Sequence, residues 1–164
     1  MIKKLNILIL TMFGVGKSEY APGTVASFVT CLIYIWFYNY HTNIIYLILC
    51  VFIIFVYSVY SIDRFNKYFN EVDSSEIVID EFVGQSIPIL TIYKLLPSGK
   101  IDIFILYTLI GFFLFRIFDI TKPYPANKID KHMKNGFGVM LDDVVAGVYS
   151  SIALIIIFLF ISYE

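Results

Sequence analysis

Long apolar runs recur along this chain and limit the folds that it can adopt. A helix that crosses the hydrocarbon core of a bilayer needs about 20 mostly apolar residues. Ile44–Ile62 and Val144–Ser162 reach that length, and Ile101–Phe118 comes close, with Asp102 at one end and Arg116 near the other. These three segments predict membrane-spanning helices.

Two shorter apolar segments accompany them. Thr24–Tyr38 is extended by its flanks, whereas Phe82–Leu96 contains Gln85 and is interrupted by Pro88. Proline removes a backbone donor, so we expect this second segment to be either a spanning or a re-entrant helix. The first dozen residues combine a basic start with an apolar run but lack a cleavage site, which favours a retained interfacial segment. Whether residues 5–13 and 82–96 cross the bilayer stays open at this point.

Composition favours lipid as the surrounding solvent. The 164 residues are 59% hydrophobic and 15% charged, whereas soluble domains average about 45–50% apolar and about 25% charged residues. A soluble globule of this size lacks the interior volume for so much apolar surface. We therefore predict an all-α fold, in which residues 1–164 form one domain: a small polytopic membrane helical bundle of four or five transmembrane or re-entrant helices. A soluble all-helical protein is the alternative, because some segments are short.

Basic residues lie unevenly on the two sides of this predicted bundle. If five segments span, the three large polar regions share one side: residues 1–23, Asp63–Glu81 and Arg116–Asp143. Of the 12 Lys and Arg, only Lys94 and Lys100 fall elsewhere, which leaves ten on that side. The positive-inside rule then predicts that the three large regions face the cytoplasm.

Acids gather on the same side. Of the 13 Asp and Glu, only Asp102 and Glu164 fall elsewhere, and several of the other eleven press against the predicted membrane boundary. The stretch "SSEIVIDEFVGQ" carries Glu76, Asp80 and Glu81. Glu76 and Asp80 are four residues apart, so they share a face if the stretch is helical.

Two further polar clusters adjoin the later apolar segments. Asp142 and Asp143 stand at the start of the last helix in "GFGVMLDDVVAG", and "FRIFDITKPYP" places Arg116, Asp119 and Lys122 three residues apart, roughly on one helical face. Each has an ordinary structural explanation when taken singly. Acids favour a helix N-terminus, and basic side chains anchor helices at a membrane surface.

The convergence of these acids is what points to a metal. A charge at the bilayer centre costs about 2.5–3.5 kcal/mol on insertion scales, and neighbouring carboxylates repel one another. Oxygen ligands select a hard cation such as Mg²⁺, and the absence of His and Cys from the clusters argues against zinc. Such a site beside basic groups suits phosphoryl chemistry on a substrate with its head in water and its tails in lipid.

The loop "GVGKSEYAPGT" contains the letters of a nucleotide-binding P-loop but not its spacing. That motif needs a glycine five residues before Gly16, where this chain has Thr11. Pro22 and Gly23 follow so soon that no long helix can begin at Lys17. We therefore expect no nucleotide, and without a basic patch we expect no nucleic acid.

Together these stretches resemble the phosphatidylglycerophosphatase A family, the bacterial lipid phosphatases. The matching segments follow the family's order and spacing from about Gly14 to Ser150: "GVGKSEYAPGTVASF", "EIVIDEFVGQ", "FRIFDITKPYP" and "GFGVMLDDVVAG". One departure is Asn135, which stands before Gly136 where the family tends to have a glycine pair. Asparagine tolerates left-handed backbone conformations, so we expect the loop shape to persist.

The resemblance implies magnesium-dependent hydrolysis of phosphatidylglycerophosphate to phosphatidylglycerol and phosphate. It also implies a multi-pass protein of the bacterial cytoplasmic (inner) membrane whose active site faces the cytoplasm. We expect catalytic roles for Asp80, Glu81, Asp119, Asp142 and Asp143. Asp119 is either a further metal ligand or the general acid or base. Metal binding is expected from Glu76, Asp80, Glu81, Asp142 and Asp143. Phosphate binding is expected from Lys17, Thr24 as a helix N-cap, Arg116 and Lys122.

Two other functional classes stay open at the level of the sequence. Intramembrane acids also line ion paths, so a small transporter or channel is one alternative, although the charges here cluster at one face. A non-catalytic membrane subunit that binds an ion through the acidic cluster is the other. Within the phosphatase hypothesis, the residues do not decide between attack by water and an aspartyl-phosphate intermediate.

Overall fold

The computed structural model describes residues 2–65, 74–97 and 99–162, and this part of the chain contains helices and no strand. The predicted all-α fold is therefore confirmed. The helices are α1 (Ile2–Leu10), α2 (Pro22–Asn39), α3 (Ile44–Phe65), α4 (Ile79–Leu95), α5 (Ile101–Thr121), α6 (Ala126–His132) and α7 (Gly136–Ser162), with a 3₁₀ segment at Met12–Lys17. All five apolar segments predicted from the sequence are helices, whereas residues 66–73 of the polar region Asp63–Glu81 lie outside the described residues.

Three of the helices are long and apolar enough to cross a membrane: α3, α5 and α7. The shorter helices α2 and α4 are not among them, so the described residues contain three candidate spanning helices, where four or five transmembrane or re-entrant helices were predicted. The outer surface of the bundle carries large exposed apolar side chains, including Phe52 at 63%, Phe113 at 63% and Phe160 at 75% exposure. So much outward apolar surface indicates a lipid rather than an aqueous environment.

Helix α4 is the centre of the bundle, because it packs against α2, α3, α5 and α7. The expected interruption at Pro88 is wrong: α4 continues through this buried residue to Leu95. Pro88 has no N–H to donate to the carbonyl of Gly84 four residues earlier. That carbonyl instead faces Gly147 of α7, where an added Cβ would lie only 2.4 Å from the oxygen. The close α4–α7 crossing thus accommodates the group that proline leaves unpaired.

The starts of α4 and α7 are fastened at the same end of the bundle. The Val78 N–H donates to the Leu10 carbonyl at 3.1 Å, just before α4 begins. The Gly136 N–H donates to the Asp63 carboxylate at 2.5 Å, which ties α7 to the end of α3. Asn135 is the N-cap of α7, because its side chain accepts from the Gly138 N–H at 2.9 Å. Asn135 does not use the left-handed conformation that it would tolerate.

The α4–α7 crossing yields a stability prediction. Gly147→Ala forces a methyl group against the Gly84 carbonyl and is expected to lower the free energy of unfolding by about 1–3 kcal/mol. Gly111→Ala is the matched control, since the new Cβ meets Leu154 at 3.4 Å, an ordinary contact distance. Unfolding of both variants in detergent, followed by circular dichroism, measures the difference. Equal stability of the two variants would contradict this description of the crossing.

Candidate active site

Three acids from two helices meet at one end of the bundle. Asp80 and Glu81 lie in the first turn of α4, and Asp143 lies two turns into α7. One carboxylate oxygen from each lies within 4.8 Å of the other two. Asp80 and Asp143 are buried and Glu81 is half-buried. We call these three residues the acid cluster; it joins two segments that are more than 60 residues apart in the chain.

Hydrogen bonds hold part of this arrangement and leave part of it open. Asp80 accepts from the N–H of Glu81, and Asp142 accepts from the N–H of Asp143, both at 3.1 Å. In contrast, Oε2 of Glu81 and Oδ2 of Asp143 are buried and accept no hydrogen bond from the described residues. A buried acceptor without a partner is costly. These two oxygens therefore mark where an ion or a ligand would bind.

The start of α2 presses against the acid cluster. An added Cβ on Gly23 would lie 2.0 Å from Oε1 of Glu81, so the glutamate side chain rests directly on this glycine. The expectation that Thr24 caps α2 is wrong, because the N-cap is Ala21 and Thr24 is the third helical residue. Pro22 explains the shift, since proline is favoured at the first helical position, which makes Ala21 the cap, three residues before Thr24.

Arg116 and Asp119 of α5 stand beside the acid cluster. They form an ion pair with 2.7 Å between Nη1 and Oδ2. Asp119 lies close enough to both Glu81 and Asp143 for the charges to repel. The buried Nε of Arg116 has no hydrogen-bond partner among the described residues. Arg116 thus balances Asp119 and keeps a donor available for an anionic ligand.

Lys122 takes a different direction from the one predicted. It was expected to share a helical face with Arg116 and Asp119, but it is the C-cap of α5 and has a left-handed φ of 40°. Its Nζ lies 2.7 Å from Oδ2 of Asp142 and 3.0 Å from Oδ1 of Asp130. Lys122 therefore links the end of α5 to α6 and α7.

The charges around Lys122 shift the pKa values in opposite directions. Burial alone lowers the pKa of Lys122, but hydrogen bonds and charges from Asp142 and then Asp130 raise it overall above its usual range. Burial alone raises the pKa of Asp130, but Lys122 and, more weakly, Lys134 lower it overall. Lys122 and Asp130 are consequently both charged at neutral pH, and this pair stabilises the fold until the pH falls through the lowered pKa of Asp130.

Glu76 and Lys17 lie outside the acid cluster. Glu76 precedes α4, so the helical face that it was predicted to share with Asp80 does not exist. Both side chains are exposed and line a polar cleft of about 510 Å³, together with Gly16 and Pro22. Pro22 is the first residue of α2 and precedes Gly23, which contacts the Glu81 side chain. The cleft therefore lies next to the start of α2.

The sequence reasoning missed Asp130, Gln85 and the contact that Gly23 makes with Glu81. Gly23 is part of a quoted motif, but its contact with Glu81 depends on tertiary packing. In the sequence Asp130 is an isolated acid among lysines. No motif or residue spacing predicts its ion pair with Lys122. Gln85 is fully buried one turn beyond Glu81 on α4, and its amide has no hydrogen-bond partner among the described residues. A polar residue inside an apolar segment was the one signal available for it.

The Lys122–Asp130 pair yields a titration prediction. Lys122→Met removes the main charge that lowers the pKa of Asp130, so the pKa of Asp130 is expected to rise. Lys134→Met is the matched control and should raise it less, because Lys134 is more exposed and lies 3.7 Å away. Carboxylate carbon chemical shifts followed against pH measure both values. An equal Asp130 pKa in the two variants would contradict the conclusion that Lys122 is the main charge acting on Asp130.

Comparison with known proteins gives a consistent result. The family model described as phosphatidylglycerophosphatase A matches residues 8–158. A Bacteroides thetaiotaomicron protein named "Putative phosphatidylinositol-3-phosphatase" is 37% identical over 92% of this chain and 91% of its own length. An Escherichia coli protein named phosphatidylglycerophosphatase A is 31% identical over 88% of this chain and 78% of its own length. A Haemophilus influenzae protein of the same name is 40% identical over 50% of this chain and 45% of its own length.

No solved structure matches this chain significantly. The family match covers every helix that contributes to the acid cluster, and the relatives extend over most of the chain. The chain therefore belongs to the phosphatidylglycerophosphatase A family of lipid phosphatases.

Proposed function

We propose that this protein hydrolyses phosphatidylglycerophosphate to phosphatidylglycerol and phosphate, with Mg²⁺ as its cofactor. Membership of the family and the names of two relatives support the substrate. The observation that carries the chemistry is the acid cluster itself. Two buried carboxylate oxygens without hydrogen-bond partners lie there beside an arginine with an unused donor.

The donor set of the acid cluster fits magnesium. Its ligands are carboxylate oxygens alone, which hard divalent cations prefer. Arg116 and Lys122 are already paired with other acids, so fixed basic groups leave negative charge in the cluster. We assign metal binding to Asp80, Glu81 and Asp143, with Asp142 held beside them by Lys122. When bound, Mg²⁺ would supply charge neutralisation for the phosphate oxygens and the leaving oxygen.

The remaining steps belong to side chains of the protein. Arg116 would donate from Nε to a phosphate oxygen while its Nη1 keeps Asp119 in place. Asp119 would accept the proton of the attacking water and return a proton to the departing glycerol oxygen. Lys122 would hold Asp142 and the start of α7 in position. The buried surroundings strengthen each of these electrostatic contacts, because water competes less for them.

We place the protein in the bacterial cytoplasmic membrane, crossed by the long helices α3, α5 and α7 and by the shorter helices α2 and α4. The acid cluster lies where α4 and α7 begin and α5 ends, which is the side that carries ten of the 12 basic residues. The positive-inside rule then places the site at the cytoplasmic face. A lipid phosphate at that surface reaches the cluster with its head in water and its chains in the bilayer.

A second head group is favoured by one specific comparison. The Bacteroides relative matches at 37% identity over 92% of this chain, and its name specifies a phosphatidylinositol phosphate. The acid cluster and Arg116 would serve either phosphomonoester, since both leave a lipid alcohol. Phosphate release from the two purified lipids, at equal concentration in mixed micelles, separates these candidates. Faster turnover of the inositol lipid would replace the proposed substrate but keep the reaction type.

The site assignment yields a mutational prediction. Asp143→Asn removes one carboxylate of the acid cluster. Loss of a residue that only supports a metal ligand costs roughly 10–100-fold in activity, and we expect Asp143→Asn to lower kcat by more than this. Asp102→Asn is the matched control, because Asp102 is exposed in the first turn of α5, at the opposite end of that helix. Inorganic phosphate released from phosphatidylglycerophosphate, with and without Mg²⁺, is the measurement. Similar rates for the two variants would refute the assignment of Asp143.

A further inference from the structure

An apolar groove opens on the lipid-facing side of the bundle between α3, α4 and α7. It encloses about 680 Å³ and is lined almost entirely by aliphatic and aromatic side chains. Thr91 and Lys94 are the polar side chains among its lining residues, and both lie towards the end of α4 away from the acid cluster. Neither the mechanism nor the packing of the bundle requires an opening at this place.

One end of the groove lies one helical turn from the acid cluster along α4. On α4 the lining residues Val83, Ile87 and Lys94 follow one helical face, and the same face extended one turn backwards carries Asp80. On α7 the lining residue Val144 directly follows Asp143. The residues that would hold a lipid phosphate and those that line the groove are therefore neighbours on both helices.

The groove runs along α3 and α4 from a point near the acid cluster to the opposite end of the bundle. On α3 the lining runs from Ile44 to Phe55, and on the antiparallel α4 it runs from Val83 to Lys94, eleven steps on each helix. At about 1.5 Å per residue this is about 16 Å. Phe55 marks the end near the acid cluster, since its ring packs against Phe137 in the first turn of α7.

We propose that this groove binds one acyl chain of the lipid whose phosphate occupies the acid cluster. The inference rests on the proposed function, and it adds an acyl-chain site to the phosphate site. A lipid-facing groove of this kind takes up a hydrocarbon chain rather than water, because its walls offer almost no hydrogen-bonding groups. The chain of the bound substrate is the occupant whose position is fixed by the adjoining phosphate site. Binding it there would hold the head group over the acids.

The proposal is tested with two substitutions on one helix. Ile48 lines the groove and is 49% exposed, whereas Ile53 is 64% exposed and does not line it. Ile48→Trp obstructs the groove from a position that packing tolerates, and Ile53→Trp places the same side chain elsewhere on α3. We measure kcat/KM for long-chain and dihexanoyl phosphatidylglycerophosphate in detergent micelles.

Ile48→Trp is expected to lower the ratio of long-chain to short-chain kcat/KM about tenfold, which corresponds to lost contact for about two methylene groups. Ile53→Trp is expected to leave the ratio at the wild-type value. Equal ratios in the two variants would overturn the acyl-chain site. A lower ratio of long-chain to short-chain kcat/KM in Ile48→Trp, with an unchanged ratio in Ile53→Trp, would support the acyl-chain site.

A second measurement separates this inference from the proposed function. Phosphatidylglycerophosphate with a photoreactive diazirine in its acyl chain is cross-linked to the wild-type protein, and the labelled residues are mapped by mass spectrometry. Labels on groove residues of α3 and α4 support the site, and they should be lost in Ile48→Trp. Labels that lie elsewhere, or a groove labelled equally by a lipid without the terminal phosphate, would overturn it. Groove labelling without phosphate release would instead refute the proposed reaction.

Discussion

Electrostatic repulsion among buried carboxylates is the constraint on which the rest of this structure depends. Oxygens of Asp80, Glu81 and Asp143 lie within 4.8 Å of one another in surroundings largely closed to water. Such an arrangement is unfavourable unless positive charge compensates it. The nearby Arg116 and Lys122 are committed to Asp119, Asp142 and Asp130. A hard cation is the compensation that the oxygen ligands favour, and a phosphate substrate would bring its own charge to the same place.

The fold explains how these acids can be held at the rim of an apolar bundle. The central helix α4 is only 17 residues long and carries Asp80, Glu81, Gln85 and Lys94, whereas the surrounding α3, α5 and α7 are long and apolar. The long helices shield a shorter, more polar one from lipid on most sides. The tight crossing at Gly84 and Gly147 brings the first turn of α4 close enough to α7 for their acids to meet.

Much of this architecture follows from the sequence because hydrophobic runs report helices directly. The acids that meet could also be predicted from the sequence, since adjacent pairs of acidic residues beside apolar helices are unusual. Three of the failures share one physical cause, which is that local backbone detail decides side-chain direction. A left-handed cap turns Lys122 towards Asp130, Pro22 moves the α2 cap to Ala21, and a late start of α4 leaves Glu76 outside the cluster. Pro88 is a separate case: α4 continues through it because tertiary packing accommodates the missing hydrogen bond.

The most direct test of the account is to locate a divalent cation in the protein itself. Mn²⁺ substitutes for Mg²⁺ at oxygen sites and gives an anomalous X-ray signal, so crystals grown with Mn²⁺ would show its position. The account predicts one strong anomalous peak among the carboxylates of Asp80, Glu81 and Asp143, and loss of that peak in Asp143→Asn. A peak at another place, or none among these carboxylates at saturating Mn²⁺, would contradict it.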